Sequence, residues 1–238
     1  MDISKNEIKF VRSLAQKKFR DESGLFVVEG EKSVQEALDS CFNVEKVYYT
    51  AEIGEEAMSR MTLLSSPSPA LALVHKRTET SDFQLPEKDL VLALDSVRDP
   101  GNLGTIVRLA DWFGVRTIIA SKDTVDLYNP KVVQATMGSI FRIEVHYCDL
   151  AEVLAAQKAG GRAIYGTFLE GENIYAAAKD QNGIIVMGSE SNGISQEVGA
   201  SVTRKITIPP FSGAGRGPES LNVAIATAIT CSEFRRNL

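Results

Sequence analysis

With 238 residues, 26 Lys and Arg against 31 Asp and Glu, and a net charge of −5, the chain has room for one or two domains and lacks the overall positive charge of a general polyanion binder. Its 44% apolar and 24% charged content is that of a globular protein, and no apolar run approaches the roughly 18 residues of a membrane-spanning helix. Cys41, Cys148 and Cys231 are scattered without paired spacing, so reduced thiols are expected, not a disulfide framework or a metal site.

The opening MDISKNEIKF carries no apolar signal core, and a cytoplasmic location is the expectation. From Asn6 to Lys18, Ile8, Val11, Leu14 and Ala15 recur at helical spacing. Residues 1–20 hold six basic residues (Lys5, Lys9, Arg12, Lys17, Lys18, Arg20) against Asp2 and Glu7. That local basic face is either a solvated helix surface or a contact for RNA phosphates. Gly24 punctuates. A strand at Leu25–Val28, a helix at Ser33–Leu38, a strand at Val44–Tyr49, a helix at Glu55–Met61 and a closing strand at Leu71–His75 complete a small α/β unit over residues 1–78. Lys76–Lys88 is polar, contains Pro86 and has no periodicity, which places a linker at 79–89.

Residues 90–238 alternate again. Strands are expected at 90–94, 116–120, 141–146, 162–166, 183–187 and 205–208, and helices at 102–113, 130–138, 149–159, 195–199 and 220–236. Strands separated by helices predict an α/β fold whose mainly parallel sheet has helices on both faces. His75 and His146 lie outside the stretches that carry chemistry and read as structural residues.

Three stretches stand out. In LDSVRDPGNLGTIVRLADWFG, Leu94–Gly114, an apolar strand breaks at Pro100-Gly101 and a helix follows. Asn102 stands at its expected start, as a cap or a site residue, and Arg108 lies off the apolar stripe, as a solvated charge or a group facing the strand end. IIVMGSESNGIS, Ile184–Ser195, ends an apolar run in Gly188 and Glu190. Ile206–Ile229 runs from a strand through a Pro/Gly loop to Ser220-Leu221-Asn222 at a helix start. Three strand ends bearing small and polar residues suit a ligand crevice at strand C-termini.

These blocks, in this order, resemble the SpoU/TrmH family of RNA ribose 2′-O-methyltransferases of the SPOUT superfamily. The matching residues are Asn102, Gly104 and Arg108; Gly188, Glu190 and Gly193; and Ile208, Pro209, Ser220, Leu221 and Asn222. KVVQATMGSIFRI (Lys131–Ile143) resembles the family's connecting segment, and Ile8 to Gly30 more loosely resembles a ribosomal-protein-like RNA substrate-binding domain fused to many members. The resemblance implies a trefoil knot, S-adenosylmethionine bound at it, a homodimer through the knot region, and an RNA substrate, with ribosomal RNA favoured over transfer RNA because of the extra domain. It implies no metal. It also implies catalytic roles for Arg108, Asn102, Glu190, Ser220 and Asn222. Thr167, Phe168, Leu169, Gly188, Gly193, Ile208 and Leu221 would hold the cofactor, and Lys9, Arg12, Lys17 and Arg20 would hold RNA.

The chemistry suits those residue types. Methyl transfer from a sulfonium to a ribose hydroxyl is an in-line displacement in which the protein positions the acceptor and eases its proton loss. A guanidinium at Arg108 stays protonated, so it suits phosphate binding and stabilisation of alkoxide charge; whether it also takes the proton is open. Glu190 either orients Arg108 or a nearby backbone group, or caps the loop before Ser195. Gly188 and Gly193 would let backbone approach an adenine, with Ile208 and Leu221 as apolar walls. Two departures from the family pattern are the loop at 210–219, about four residues longer than usual, and Ala224 in place of a common serine. The alternatives are a transfer-RNA enzyme and a catalytically silent RNA-binding or ribosome-assembly factor. A nicotinamide dehydrogenase is disfavoured because no G-x-G-x-x-G follows the first strand of the sheet.

Overall fold

The computed structural model describes residues 3–78, 83–211 and 219–236. In chain order its elements are α1 (Lys5–Ser13), α2 (Lys17–Ser23), β1 (Leu25–Glu29), α3 (Glu31–Leu38), β2 (Val44–Tyr49), α4 (Thr50–Ile53), α5 (Glu55–Met61), β3 (Ala70–His75), β4 (Val91–Leu94) and α6 (Pro100–Trp112). There follow β5 (Thr117–Ser121), α7 (Pro130–Thr136), a 3₁₀ turn (Ser139–Phe141), β6 (Glu144–Cys148), α8 (Leu150–Ala159), β7 (Ile164–Asn173), β8 (Ile184–Met187), α9 (Gln196–Gly199), β9 (Arg204–Thr207) and α10 (Val223–Arg235). They gather into two compact units, Met1–Thr80 with Asp126–Arg142, and Ser81–Val125 with Ile143–Leu238.

In the first unit the apolar spacing over 6–18 resolves into two helices. Arg20 explains the break: its guanidinium donates to the carbonyls of Leu14 at 2.8 Å and Ala15 at 3.0 Å, taking acceptors that a continuous helix would use for its own amides. Gly24, at φ +69, ends α2 in the left-handed region. β3, expected as the closing strand, is the central one: the sheet order is β1-β3-β2, antiparallel throughout. Ile8, Val11 and Leu14 pack with Leu25, Val27, Met58, Met61 and Leu71 in its core.

Asp126–Arg142, read in sequence as part of 90–238, groups with this unit. Tyr128 lies 4.8 Å from Phe26 and Phe141 lies 5.1 Å from Phe42, ring to ring. α7 starts on an Asn129 cap with Pro130 in its first turn and ends early, at Thr136, because Met137 takes the left-handed conformation at φ +51.

The second unit is built on a parallel six-stranded sheet, ordered β6-β5-β4-β8-β7-β9. β4 lies between β5 and β8, so connections leave it on both sides, the switch point at which open α/β sheets form crevices. β4 and β8 are wholly buried, as parallel strands covered on both faces must be. α6 and α10 pack side by side and run the same way: Asn222 bonds Asn102 near their starts, and Arg235 Nε donates to the Phe113 carbonyl at 2.9 Å near their ends. β7 continues past its expected end at residue 166 by looping out residues 168–171, so that both Thr167 and Glu172 pair with Ile206. Gly171 sits where a Cβ would come within 2.8 Å of the Lys205 carbonyl. Among the described residues no helix is long and apolar enough to cross a membrane.

Candidate active site

The sheet's parallel strands bring the ends of β4, β8, β7 and β9 to one edge. The β4–α6 connection is set by Asp99, not Asn102: Asp99 caps α6 by accepting from the Asn102 amide at 2.8 Å, and Pro100 occupies the first turn. Asp-Pro-Gly is itself a helix-start signal, so the sequence held this information. The shift places Asn102 one turn inside the helix and frees its side chain. Its Nδ2 donates to a Glu190 carboxylate oxygen. Its Oδ1 accepts from Asn222 Nδ2 at 2.9 Å. Asn222 is in turn the cap of α10, its Oδ1 accepting from the amides of Ala224 and Ile225 at 3.0 and 3.2 Å. One residue from each of the three blocks, separated by up to 120 positions in sequence, thus meets in a single hydrogen-bonded chain.

Glu190 rides on a closed turn. Ser189 and Gly193 exchange backbone hydrogen bonds at 3.1 and 2.9 Å. Gly193 sits at φ +65, where side-chain-bearing residues are strained. A Cβ on Gly188 would stand 2.1 Å from the Gly193 carbonyl carbon. The two glycines close this turn, and the backbone expected to face an adenine is the backbone of that turn. Ser195 caps α9 and ends the turn, so capping falls to Ser195 and leaves Glu190 to Asn102.

The expected cofactor loops lie beside it. Thr167 faces inward, its Oγ1 donating to the Val186 carbonyl at 3.1 Å, and ties β7 to β8. Phe168 carries the Lys205 ammonium 4.9 Å from its ring centre. Leu169 is 73% exposed, and its carbonyl accepts from Thr207 Oγ1 at 3.1 Å. Ile208 is half-buried, Leu221 exposed, and Phe211 87% exposed. Large apolar side chains left in water at strand ends are what an apolar, planar ligand would cover. The residues present fit S-adenosylmethionine in that respect, with apolar walls for a purine. The loop residues 212–218, within the lengthened 210–219 segment, lie outside the described residues.

Arg108 and Ser220 stand apart from the hydrogen-bonded chain. Arg108 is exposed on the stripe of α6 that holds Thr105 and Trp112, and has no hydrogen-bond or ion-pair partner among the described residues. Six positions separate it from Asn102, which puts the two about 120° apart around the helix. Ser220 and Leu221 precede α10, which starts at Val223, and both are exposed. Next to β4, the Ser121 and Ser96 hydroxyls, joined by Arg98, hold the Asp123 carboxyl down at about 2. Among the described residues no cluster of three or more His, Cys, Asp or Glu is disposed to hold a metal ion. His75 meets Glu45 at 2.9 Å, and His146 stacks on Phe83.

Of the four basic residues expected to meet RNA, three are on the surface. Lys9 and Arg12 line the outer face of α1, Arg12 with one bond to the Thr62 carbonyl at 3.2 Å, and exposed Lys17 pairs with Asp21 at 2.6 Å. Arg20 is not available: it is 2% exposed, and besides Leu14 and Ala15 it bonds Asp126 through both Nε at 3.2 Å and Nη2 at 2.6 Å. A charge so enclosed has no face left for a phosphate. Its spacing matched the basic residues around it, and only its distant partner Asp126 reveals the difference.

Comparison with known proteins divides the chain as its sequence does, with Asp126–Arg142 inside the second match. A family model described as the SpoU rRNA methylase family matches residues 89–232, and one described as an MRM3-like substrate binding domain matches residues 5–80. The 23S rRNA (guanosine(2553)-2′-O)-methyltransferase RlmP of Bacillus subtilis is 30% identical, over 99% of this chain and 98% of its own. A solved structure from Porphyromonas gingivalis, assigned to the TrmH family of RNA methyltransferases, superposes with a TM-score of 0.88 at 38% identity, covering 99% of both chains. An AdoMet-bound rRNA methyltransferase from Sinorhizobium meliloti gives 0.88 at 33%, covering 100% of this chain and 98% of its own.

Proposed function

The chain belongs to the SpoU rRNA methylase family, and we propose that it methylates the ribose 2′-hydroxyl of a guanosine in large-subunit ribosomal RNA. It is an RNA 2′-O-methyltransferase that uses S-adenosylmethionine. The observation that carries the substrate reading is the end-to-end match with RlmP, N-terminal unit included. Transfer-RNA enzymes of this fold match less of it: the Aquifex aeolicus TrmH/SpoU tRNA-modifying enzyme covers 63% of the chain at a TM-score of 0.54. Labelled methyl transfer to 23S rRNA fragments and to bulk transfer RNA tests the choice. Incorporation into ribosomal RNA alone is expected, and incorporation into transfer RNA alone would overturn it.

When bound, S-adenosylmethionine supplies an electrophilic methyl on a positively charged sulfur. So held, the cofactor would give up that methyl to the ribose oxygen and leave as a neutral thioether, and the hydroxyl proton would pass to water. In our reading Asn102, Glu190 and Asn222 keep the strand ends in register, with Ser220 beside them, and Phe168, Leu169, Ile208 and Leu221 wall the purine. The part of Arg108 is to grip a phosphate of the target nucleotide with its guanidinium fork and to stabilise the negative charge that develops on the attacking 2′-oxygen as its proton leaves.

The same reading has residues 90–238 as the catalytic part and 1–78 as the RNA-binding part, with the exposed stripe of Lys9, Arg12 and Lys17 on phosphates. Changing these three to Ala is expected to flatten the slope of log affinity against log salt by about 2 to 3, with cofactor affinity unchanged. An unaltered slope returns the stripe to a solvated surface. Two copies pair, in this reading, through the outer faces of α6 and α10, where Trp112 is 82% exposed and Ile225 53%. Light scattering of Trp112→Asp is expected to show a monomer where the parent shows a dimer. Pairing there sets Arg108, on the Trp112 stripe, at the seam between copies. A trefoil knot in the C-terminal part and residence with ribosomal RNA in the cytoplasm complete the proposal.

A further inference from the structure

One buried carboxylate in the second unit plays no part in the account above. Asp95 follows β4 directly and is 4% exposed. Its backbone amide extends the strand pairing by donating to the Met187 carbonyl at 2.9 Å, while its Oδ2 accepts from the Ser195 amide at 2.7 Å. Met187 and Ser195 are the two ends of the turn that carries Glu190. A single residue thus holds both feet of that turn, one by main chain and one by side chain.

The backbone beyond Asp95 is bent to make this reach. Ser96 takes φ +60, one of two described non-glycine residues in the left-handed region. Its conformation is over-determined: its amide donates to Ser121 Oγ at 2.8 Å and its hydroxyl to Asp123 Oδ2 at 2.7 Å. Strain maintained by so many bonds commonly marks a functional geometry. A buried carboxylate is also a costly choice for a spot that needs only packing.

We propose that Asp95 is a positioning residue: by clamping the Ser195 amide it fixes the 188–195 turn, and so sets the Glu190 carboxylate against Asn102. It touches neither substrate nor cofactor. The inference rests on the methyltransferase reading of this site, and the wild-type enzyme serves as the control that separates the two: a wild type without methyl transfer refutes that reading. Asp95→Asn keeps an acceptor at the same place, whereas Asp95→Ala removes it.

Expected for Asp95→Ala is a fall in kcat on the order of 10- to 100-fold, as for displaced catalytic groups, with Asp95→Asn within about threefold of wild type, since one acceptor suffices for the Ser195 amide. Hydrogen exchange should rise in residues 188–195 of Asp95→Ala while β4 and β8 keep their protection. In a Glu190→Ala background, adding Asp95→Ala should cost less than about threefold more, because both changes then disable one device. Four results overturn the proposal: Asp95→Ala at wild-type rates; Asp95→Asn as slow as Asp95→Ala; independent, multiplying losses with Glu190→Ala; or an Asp95→Ala protein that does not fold or that loses protection equally in β4 and β8.

Discussion

Arg108→Ala is expected to lower the single-turnover rate of methyl transfer by on the order of 10²–10³, the usual loss when one preorganised charge donor is removed. Fold and cofactor affinity should persist. Arg108 stands on the exposed stripe of α6 with no partner to lose among the described residues, and the apolar walls assigned to the purine lie in β7, just after β9 and just before α10. Arg108→Lys should rescue little, since a point charge lacks the planar fork that holds a phosphate and a neighbouring oxygen together. Rates near wild type in Arg108→Ala, with RNA and cofactor saturating, would leave this residue a surface charge.

Arg20→Ala is expected to act on stability instead. Removing one member of a buried, hydrogen-bonded ion pair typically costs about 3–5 kcal/mol, because its partner is left buried and uncompensated. Asp126 is that partner, with its side chain 15% exposed, and the Leu14 and Ala15 carbonyls lose a donor as well. Such a loss is a large part of a typical domain's stability, so denaturant unfolding of the first unit should shift markedly. Any fall in RNA binding should follow the unfolded fraction. A stable Arg20→Ala protein that binds RNA weakly would restore Arg20 to the phosphate-contacting face.

Arg20 shows where sequence reading stops. Periodicity and charge identified the helical region and its basic face, because both are local properties of neighbouring residues. They did not separate Arg20 from Lys17, because what distinguishes them is an aspartate 106 positions away. The same limit applies to Asp126–Arg142, whose aromatic partners Phe26 and Phe42 lie in a distant stretch of chain. In the second unit the strand–helix alternation and the three blocks were legible from short apolar runs broken by Gly and Pro. Asn102, Glu190 and Asn222 were picked out singly, yet their joining in one hydrogen-bonded chain depends on strand order, which spacing does not encode. The need for glycine at 188 has a part that spacing does not encode: the atom that excludes a Cβ there is the Gly193 carbonyl carbon, across a turn whose closure is a matter of three-dimensional shape. Asp95 drew no attention in sequence because its meaning lies in the Ser195 amide, 100 residues downstream.

The most direct test is a map of ribose methylation across ribosomal RNA, read from resistance of 2′-O-methylated positions to alkaline cleavage, in cells with and without the gene. One guanosine in large-subunit RNA should lose its protection when the gene is deleted, regain it with the wild-type copy, and stay unprotected with Arg108→Ala. Ribosomal RNA methylation identical in the two strains, or a loss confined to transfer RNA, would contradict the account.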